Sequence, residues 1–418
     1  MNPFASSVFR TSIVVTGLIA AVVCAQAQTV DDNPLLKKEV LEQVTSILSK
    51  NAFVPGVDFG KWPEFIKAEQ AQIDAANTDD DFQKAVNAAL KKFGASHTVL
   101  NAPKVADLRL TGSMVGVGVS TRPDPAGLLV TRTIFDAPAE RGGIVAGDII
   151  VKIDGKPAVS TAGMEGSEGT DVTLTIQHVD KSTEDYILTR RKFSALRQEE
   201  LTWIDKDTAV VTINTFGFAY DRKRVLDIMS EAKESKKIIL DLRDNGGGEI
   251  GNLRHLLGFF TTSDQPVGTF IDRTIVNEYS AATHGNPTDL AAIAKWTKKK
   301  VRPIPEPDTL RYSGKVVVLI NGLSGSASEI LAQGFRDVLG SKIVGTKSAG
   351  AVLVSLYVDA SNGFMLQFPL SDYVTINGTR LEGKGVTPDF VVSDPTIHTA
   401  KGPDPARDKA IALLNAGW

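Results

Sequence analysis

Three serines, Ser324, Ser326 and Ser328, alternate with small residues in the stretch VVVLINGLSGSASEILAQGF, which runs from Val316 to Phe335. A β-branched apolar run stops at Asn321-Gly322 and an apolar helical pattern follows at once, so a strand-to-helix corner is predicted there. The first amides of a helix lack intrahelical partners and its dipole is positive at that end, so an anion is stabilised. Ser326 in that position can form an acyl intermediate while the next amide, on Ala327, helps to hold the oxyanion. Serine is also among the best N-caps, and the corner alone leaves both readings open.

A second corner lies upstream in IILDLRDNGGGEIGNL. A buried strand, Ile238 to Leu242, runs into Arg243-Asp244-Asn245 and then Gly246, Gly247 and Gly248 before another helix. Consecutive glycines let backbone approach a ligand closely and turn N–H groups toward it. Phosphate is the generic ligand of such a loop, but the lysine and Ser/Thr of a P-loop do not follow. Two strand-end loops that both offer N–H donors are what acyl transfer requires.

The elements that carry these corners alternate. From about Leu201 to Asp394, strands are predicted at TAVVTINTF, KKIILDLR, KVVVLING, SKIVGT and GFMLQFPL, with helices at RKRVLDIMSEAK, GNLRHLLGFF and SASEILAQGFRDVL. That order implies an α/β layered core over residues 194–398, closed by a C-terminal helical tail at 399–418. Between Thr261 and Arg311 a long polar stretch holds one helical piece, PTDLAAIAKWTKKK, and reads as a lid or a surface excursion. Ahead of the core, residues 28–103 form a helical segment with Leu36, Val40, Leu41, Val44 and Leu48 on one face, followed by a helix that stops at Gly94. Residues 104–193 switch to short strands, glycines and one short helix.

The 418 residues allow two or three domains, and a net charge of -3 with 23% charged residues gives no basic surface for nucleic acid. The runs LTRRK and TKKKVR read as solvated loops. At the N-terminus, Arg10 precedes the apolar run Ile13–Cys24 and the small residues Ala25 and Ala27. This is the layout of a secretory signal peptide over residues 1–27, too short to span a bilayer, and it predicts a periplasmic or secreted protein with no membrane span after cleavage. The sole cysteine, Cys24, would leave with it, which removes disulfides, cysteine nucleophiles and cysteine metal sites from the mature chain.

The segment 104–193 resembles a PDZ domain: VGVGV matches the carboxylate-binding loop, and Ala137–Ile150 matches the helix and turn that follow it. The resemblance implies capture of a protein or peptide chain end as an added strand. LDLRDNGGG, LINGLSGSASEI, VGTKSAG and LEGKGVTPDF stand in the order found in the C-terminal processing, or tail-specific, serine peptidases. That likeness implies a ClpP/crotonase-like α/β core, a nucleophile at Ser326, and protein substrates. It also implies oxyanion donors at Gly247 and Ala327, because the family often has proline where Gly246 stands. No cofactor or metal is called for, and homo-oligomer formation is left open.

One departure matters. The lysine base of these peptidases would fall at Ala351, in KSAGAVL, and alanine accepts no proton. FGASHTVL places Ser96-His97 after the helical segment, as in the tricorn-like branch of the superfamily, whose glutamate before G-V-x-P-D corresponds to Glu382. The resemblance then implies His97 as the base, with Ser96 and Glu382 as relay or positioners. Lys347 is an alternative base four residues short of the lysine position. Ser324, Ser328, the other histidines (His178, His255, His284, His398) and Asp148 read as structural or incidental. The competing reading is a pseudopeptidase that only holds peptides, with Ala351 marking lost chemistry.

Overall fold

The computed structural model describes residues 30, 33–393 and 404–417. The expected signal peptide, Cys24 and His398 lie outside them. Helices α1 (Pro34–Lys50), α2 (Trp62–Ala68), α3 (Gln70–Ala75) and α4 (Asp79–Lys91) come first. Asn33 caps α1 by accepting the Leu35 and Leu36 N–H groups, and Thr78 caps α4 through Asp81 N–H. Leu36, Val40, Val44 and Leu48 are buried as the periodicity predicts, while Leu41 is only partly so. The chain then forms the short strand β1 (Val99–Asn101) and helix α5 (Pro103–Thr111).

Eight strands and a short helix make the second unit. They are β2 (Ser113–Gly116), β3 (Val119–Asp124), β4 (Gly127–Thr133), α6 (Pro138–Arg141), β5 (Ile149–Ile153), β6 (Lys156–Pro157), β7 (Asp171–Gln177), β8 (Thr183–Thr189) and β9 (Arg191–Ser194). The sheet runs β3-β4-β5-β7-β8 with β6 on β5, and the entering strand β2 pairs with the leaving strand β9. Its own core includes Val130, Ile144, Ile150, Leu174 and Ile176. Asp148 accepts the Val145 N–H in a turn and holds His178, the structural role expected of it.

The remainder comprises β10 (Glu200–Asp205), β11 (Thr208–Thr212), α7 (Arg222–Ala232), β12 (Lys237–Asp241), α8 (Ile250–Gly258), β13 (Gly268–Asp272), α9 (Arg273–Thr283) and α10 (Leu290–Trp296). It continues with β14 (Lys315–Ile320), α11 (Ala327–Leu339), β15 (Lys342–Gly345), β16 (Val354–Asp359), β17 (Met365–Thr375), β18 (Phe390–Val391) and α12 (Pro405–Ala416). The main sheet has the order β10-β11-β12-β14-β15-β18 and is parallel from β11 onward. Its inner strands β11, β12, β14 and β15 are rich in Val, Ile and Leu because both faces are covered there, whereas edge strand β10 is largely exposed. Helices α7, α8 and α11 pack on one face; Ala406, Ala410 and Leu414 of α12 pack on the other.

A second sheet joins parts far apart in sequence. β17 pairs with β1, β13 and β16, all antiparallel. The helical segment therefore shares one core with the peptidase portion: Leu353, Phe364, Leu366 and Phe368 pack among Val40, Phe82 and Leu90. The stretch from Thr261 to Arg311 is not a bare excursion either. It contains β13 and two helices with their own apolar cluster around Ile271, Ile275 and Ile293. Among the described residues no helix is long and apolar enough to cross a membrane.

Candidate active site

Neighbouring parallel strands β12 and β14 release the two loops seen in the sequence at their C-terminal ends, where open α/β sheets collect ligands. Ser324 and Ser328 tie the loops together. Ser324 Oγ donates to Leu242 O (2.8 Å) and Ser328 Oγ to Asn245 O (2.8 Å), both hydroxyls fully buried. Ser326 stands between them at the start of α11 with φ 53° and ψ −116°. A non-glycine residue there costs about 1–3 kcal/mol, and such strain concentrates at functional positions. A Cβ on Gly247 (φ +95°) would lie 2.6 Å from Ser326 Cβ and 2.9 Å from the Ala327 nitrogen. Only glycine lets the second loop come this close.

The Gly247 N–H is engaged, however: it donates to Asn245 Oδ1 (2.9 Å). Ala327, in the first turn of α11, belongs to the set of amides with no intrahelical acceptor. The two predicted oxyanion donors are thus adjacent, but one holds a side-chain carbonyl in this form.

Sequence reasoning passed over Glu329, which organises the corner. Its carboxylate is fully buried and accepts four donors. Ser348 Oγ–H (2.6 Å) and Gly350 N–H (2.8 Å) reach Oε1; Ala351 N–H (2.9 Å) and Ser326 N–H (3.0 Å) reach Oε2. Burial pushes its carboxyl up from the ordinary range, and these hydrogen bonds oppose the shift. The available signal was the Ser-x-x-Glu spacing of a capping box. Ala351, at the expected lysine position, does lie beside Ser326, since its carbonyl accepts the Ser326 N–H (2.8 Å). It brings backbone there and no amine. Lys347 is exposed and absent from the cleft wall.

Beneath the glycine loop, Arg243 spans Asp241 (2.6 Å) and Asp404 (2.8 Å), the residue that caps α12. Burial disfavours its charge, but the two carboxylates hold it protonated well above the usual range. The sequence reading assigned nothing to this buried network, because Asp404 lies 161 residues away.

The other side of the site is built from the chain's two distant ends. Ser96 N–H donates to Glu382 Oε1 (2.8 Å) and Ser96 Oγ–H to Oε2 (2.9 Å). Val352 N–H also reaches Oε2 (2.9 Å), and the carboxylate is buried. Ser96 Oγ lies 2.7 Å from His97 Nδ1. Since the hydroxyl proton goes to Glu382, Nδ1 must be the donor in this contact, which leaves the lone pair of the neutral ring on Nε2. His97 has φ 56°, another strained position in the left-handed region. His97, Ser326, Ala327 and Gly246–Gly248 line one cleft of about 860 Å³, whose other walls include Arg197, Asn214, Phe218 and residues 352–357. The structure thus puts His97, Gly247, Ser326 and Ala327 on a single cavity, with Ser96 and Glu382 joined to it through the Ser96–His97 contact.

A strained serine at a helix start, set against a glycine loop and sharing one cleft with a histidine, is the layout of a serine hydrolase. The comparisons with known proteins narrow the class. Residues 207–392 match the model of peptidase family S41, and residues 105–177 match the PDZ domain. The carboxy-terminal-processing protease of Bartonella bacilliformis is 26% identical over 390 residues, 87% of this chain and 81% of that one. A probable CtpA-like serine protease of Staphylococcus haemolyticus is 27% identical over 299 residues, 69% of this chain but only 55% of its own length. Among solved structures, the photosystem II D1 C-terminal processing protease superposes with a TM-score of 0.50 at 19% identity, over 87% of this chain and 95% of that one. Mature CPAF complexed with lactacystin gives 0.53 at 15% identity, over 91% and 98%. The tricorn protease gives 0.50 at 14% identity, over 91% of this chain and 37% of that one. These likenesses share the fold. Residues 207–392 thus match a serine peptidase domain of family S41, and residues 105–177 a PDZ domain ahead of it.

Proposed function

We propose that the protein is an exported endopeptidase, periplasmic or secreted, that cuts protein substrates near a chain end presented by the PDZ domain. Ser326 Oγ attacks the peptide carbonyl while His97 Nε2 takes its proton. The amide C–N bond then breaks, the proton passes to the leaving amine, and an acyl ester remains on Ser326. Water, deprotonated by the same imidazole, releases the acyl product. Ser96 and Glu382 fix the ring's tautomer and aim. The Ala327 amide stabilises the oxyanion, joined by the Gly247 amide once it exchanges Asn245 Oδ1 for the substrate oxygen. No lysine is needed, and none is invoked at Ala351.

The single observation that carries this reading is the bonded series Glu382, Ser96, His97 on the wall of the cleft that holds Ser326. A fluorophosphonate probe tests it, with cleavage of denatured casein followed in parallel. Wild type should label and cleave; Ser326→Ala and His97→Ala should each lose both, with kcat down on the order of 10⁴–10⁶-fold. A wild type that neither labels nor cleaves sinks the peptidase reading and leaves a peptide-holding scaffold. Full activity in His97→Ala would remove the imidazole from the mechanism.

A further inference from the structure

Two arginines meet where the PDZ unit joins the peptidase portion. Arg197 belongs to the segment between β9 and β10 and forms part of the catalytic cleft wall. Arg132 lies on β4, within the residues that match the PDZ domain. The carboxylate beside both is Asp244, on the loop that leads from β12 to the three glycines. Arg197 Nη1 stands 3.9 Å from Asp244 Oδ2, beyond hydrogen-bond distance, and its guanidinium makes no hydrogen bond among the described residues. Asp244 is engaged elsewhere: Asn321 Nδ2 donates to its Oδ1 (2.8 Å). Arg132 has one long contact, 3.4 Å from Nη2 to Ser120 Oγ.

These charges do not balance. Burial lowers the pKa of half-buried Arg132, the like charge of Arg197 lowers it further, and Asp244 opposes both. Two guanidiniums thus share one carboxylate, and one positive charge is left over. Among the described residues the only acid on the cleft wall is Glu249, which forms no ion pair with Arg197. Apolar walls such as Phe218 and Leu356 strengthen the field of such a charge, because they keep the local dielectric low. The charge also lies near the chemistry. Asp244 stands three residues before Gly247, at most about 11 Å of extended chain.

We propose that Arg197, with Arg132 beside it, forms a subsite for a carboxylate side chain of the substrate, so that cleavage favours Asp or Glu at one position within a few residues of the cut. This rests on the peptidase reading above and gives that site a substrate preference. A planar guanidinium grips a carboxylate through two parallel N–H···O bonds, and the long contact to Asp244 leaves that fork available. A terminal carboxylate offers the same chemistry. On the reading above, however, the chain end is held by the PDZ domain, which leaves a side chain as the occupant.

The test uses a ten-residue casein peptide whose cleavage site is mapped by mass spectrometry, and a series with Glu or Gln in turn at each position within four residues of the cut. In wild type, Glu should exceed Gln about tenfold in kcat/KM at one position and by little at the others. In Arg197→Gln that ratio should fall to near one, and in Arg197→Glu a Lys at the same position should become the favoured residue. If neither variant folds, the wild-type series decides alone. Equal cleavage of the Glu and Gln peptides at every position overturns the subsite while leaving the peptidase intact, and so does a preference that survives in Arg197→Gln. The peptides are also made with free and amidated C-termini. A loss on amidation that disappears in Arg197→Gln would put the chain end at this arginine and overturn the side-chain assignment. A wild type that neither labels with fluorophosphonate nor cleaves any peptide overturns both readings.

Discussion

The two halves of the site are held by different kinds of structure. Around Ser326 the loops of β12 and β14 are locked by backbone contacts, by Gly247 packed against Ser326 and by the buried Glu329, all close in sequence to the elements they orient. Around His97 a single carboxylate, Glu382, carries the load across 286 residues of chain. The first half tolerates little change in shape. The second tolerates little change in charge or proton placement.

That contrast can be broken most directly at Glu382. In Glu382→Gln the NH2 meets a donor whichever way the amide is placed, the Ser96 N–H at the Oε1 position or the Val352 N–H at the Oε2 position, so the amide cannot hold Ser96 as the carboxylate does and His97 loses its fixed support. We expect kcat to fall on the order of 10³–10⁴-fold with little change in melting temperature. Combined with Ser96→Ala, the loss should be far from additive; additive losses would mean Ser96 and Glu382 act separately.

On the nucleophile side, Gly247→Ala tests shape. A methyl group 2.6 Å from Ser326 Cβ, on a residue with φ +95°, must displace one loop. Activity should drop about 10²–10³-fold, and fluorophosphonate labelling should slow with it. Unchanged labelling would separate Gly247 from the oxyanion site.

His255 sharpens the comparison through stability. It lies on α8 behind the glycine loop, bonded to Tyr220, and burial holds its pKa down to about 4 with help from Arg222. The folded protein refuses the proton that the unfolded chain accepts below about pH 6.5, so stability is lost as pH falls from there toward 4, by up to roughly 3 kcal/mol. Urea midpoints across that window should fall more steeply for wild type than for His255→Gln. Parallel slopes would show that His255 is not the buried base. The smallest effect is expected at Lys347→Ala, within about twofold of wild-type kcat/KM; an inactive variant would return the base to a lysine and detach His97 from the chemistry.

Legibility in the sequence followed the same division. The Ser326 corner could be read because strand, turn and helix are contiguous and each carries its own periodicity. β11, β12, β14, β15 and β17, and helices α7, α8 and α11, were legible for the same reason. β13 was hidden in GTFID, five residues whose partner lies about a hundred residues on, in β17. Three-residue β1 and the pairing of β16 with β17 depend equally on distant partners. Ser96, His97 and Glu382 were visible only through family likeness, since nothing local in FGASHT or LEGKG announces a shared hydrogen bond. Glu329 carried a local sign, but a capping box does not reveal that its acid will also gather three donors from residues 348–351.

The strand β1 sits on the last long strand of the fold, and the carboxylate that aims His97 follows soon after it in the chain. Synthesis runs from the amino end, so the imidazole and the hydroxyl are both made before the group that couples them. On the mechanism proposed above, a chain interrupted between residues 326 and 382 carries its serine hydroxyl without a positioned base. On that mechanism hydrolytic capability arrives only once residue 382 is in place.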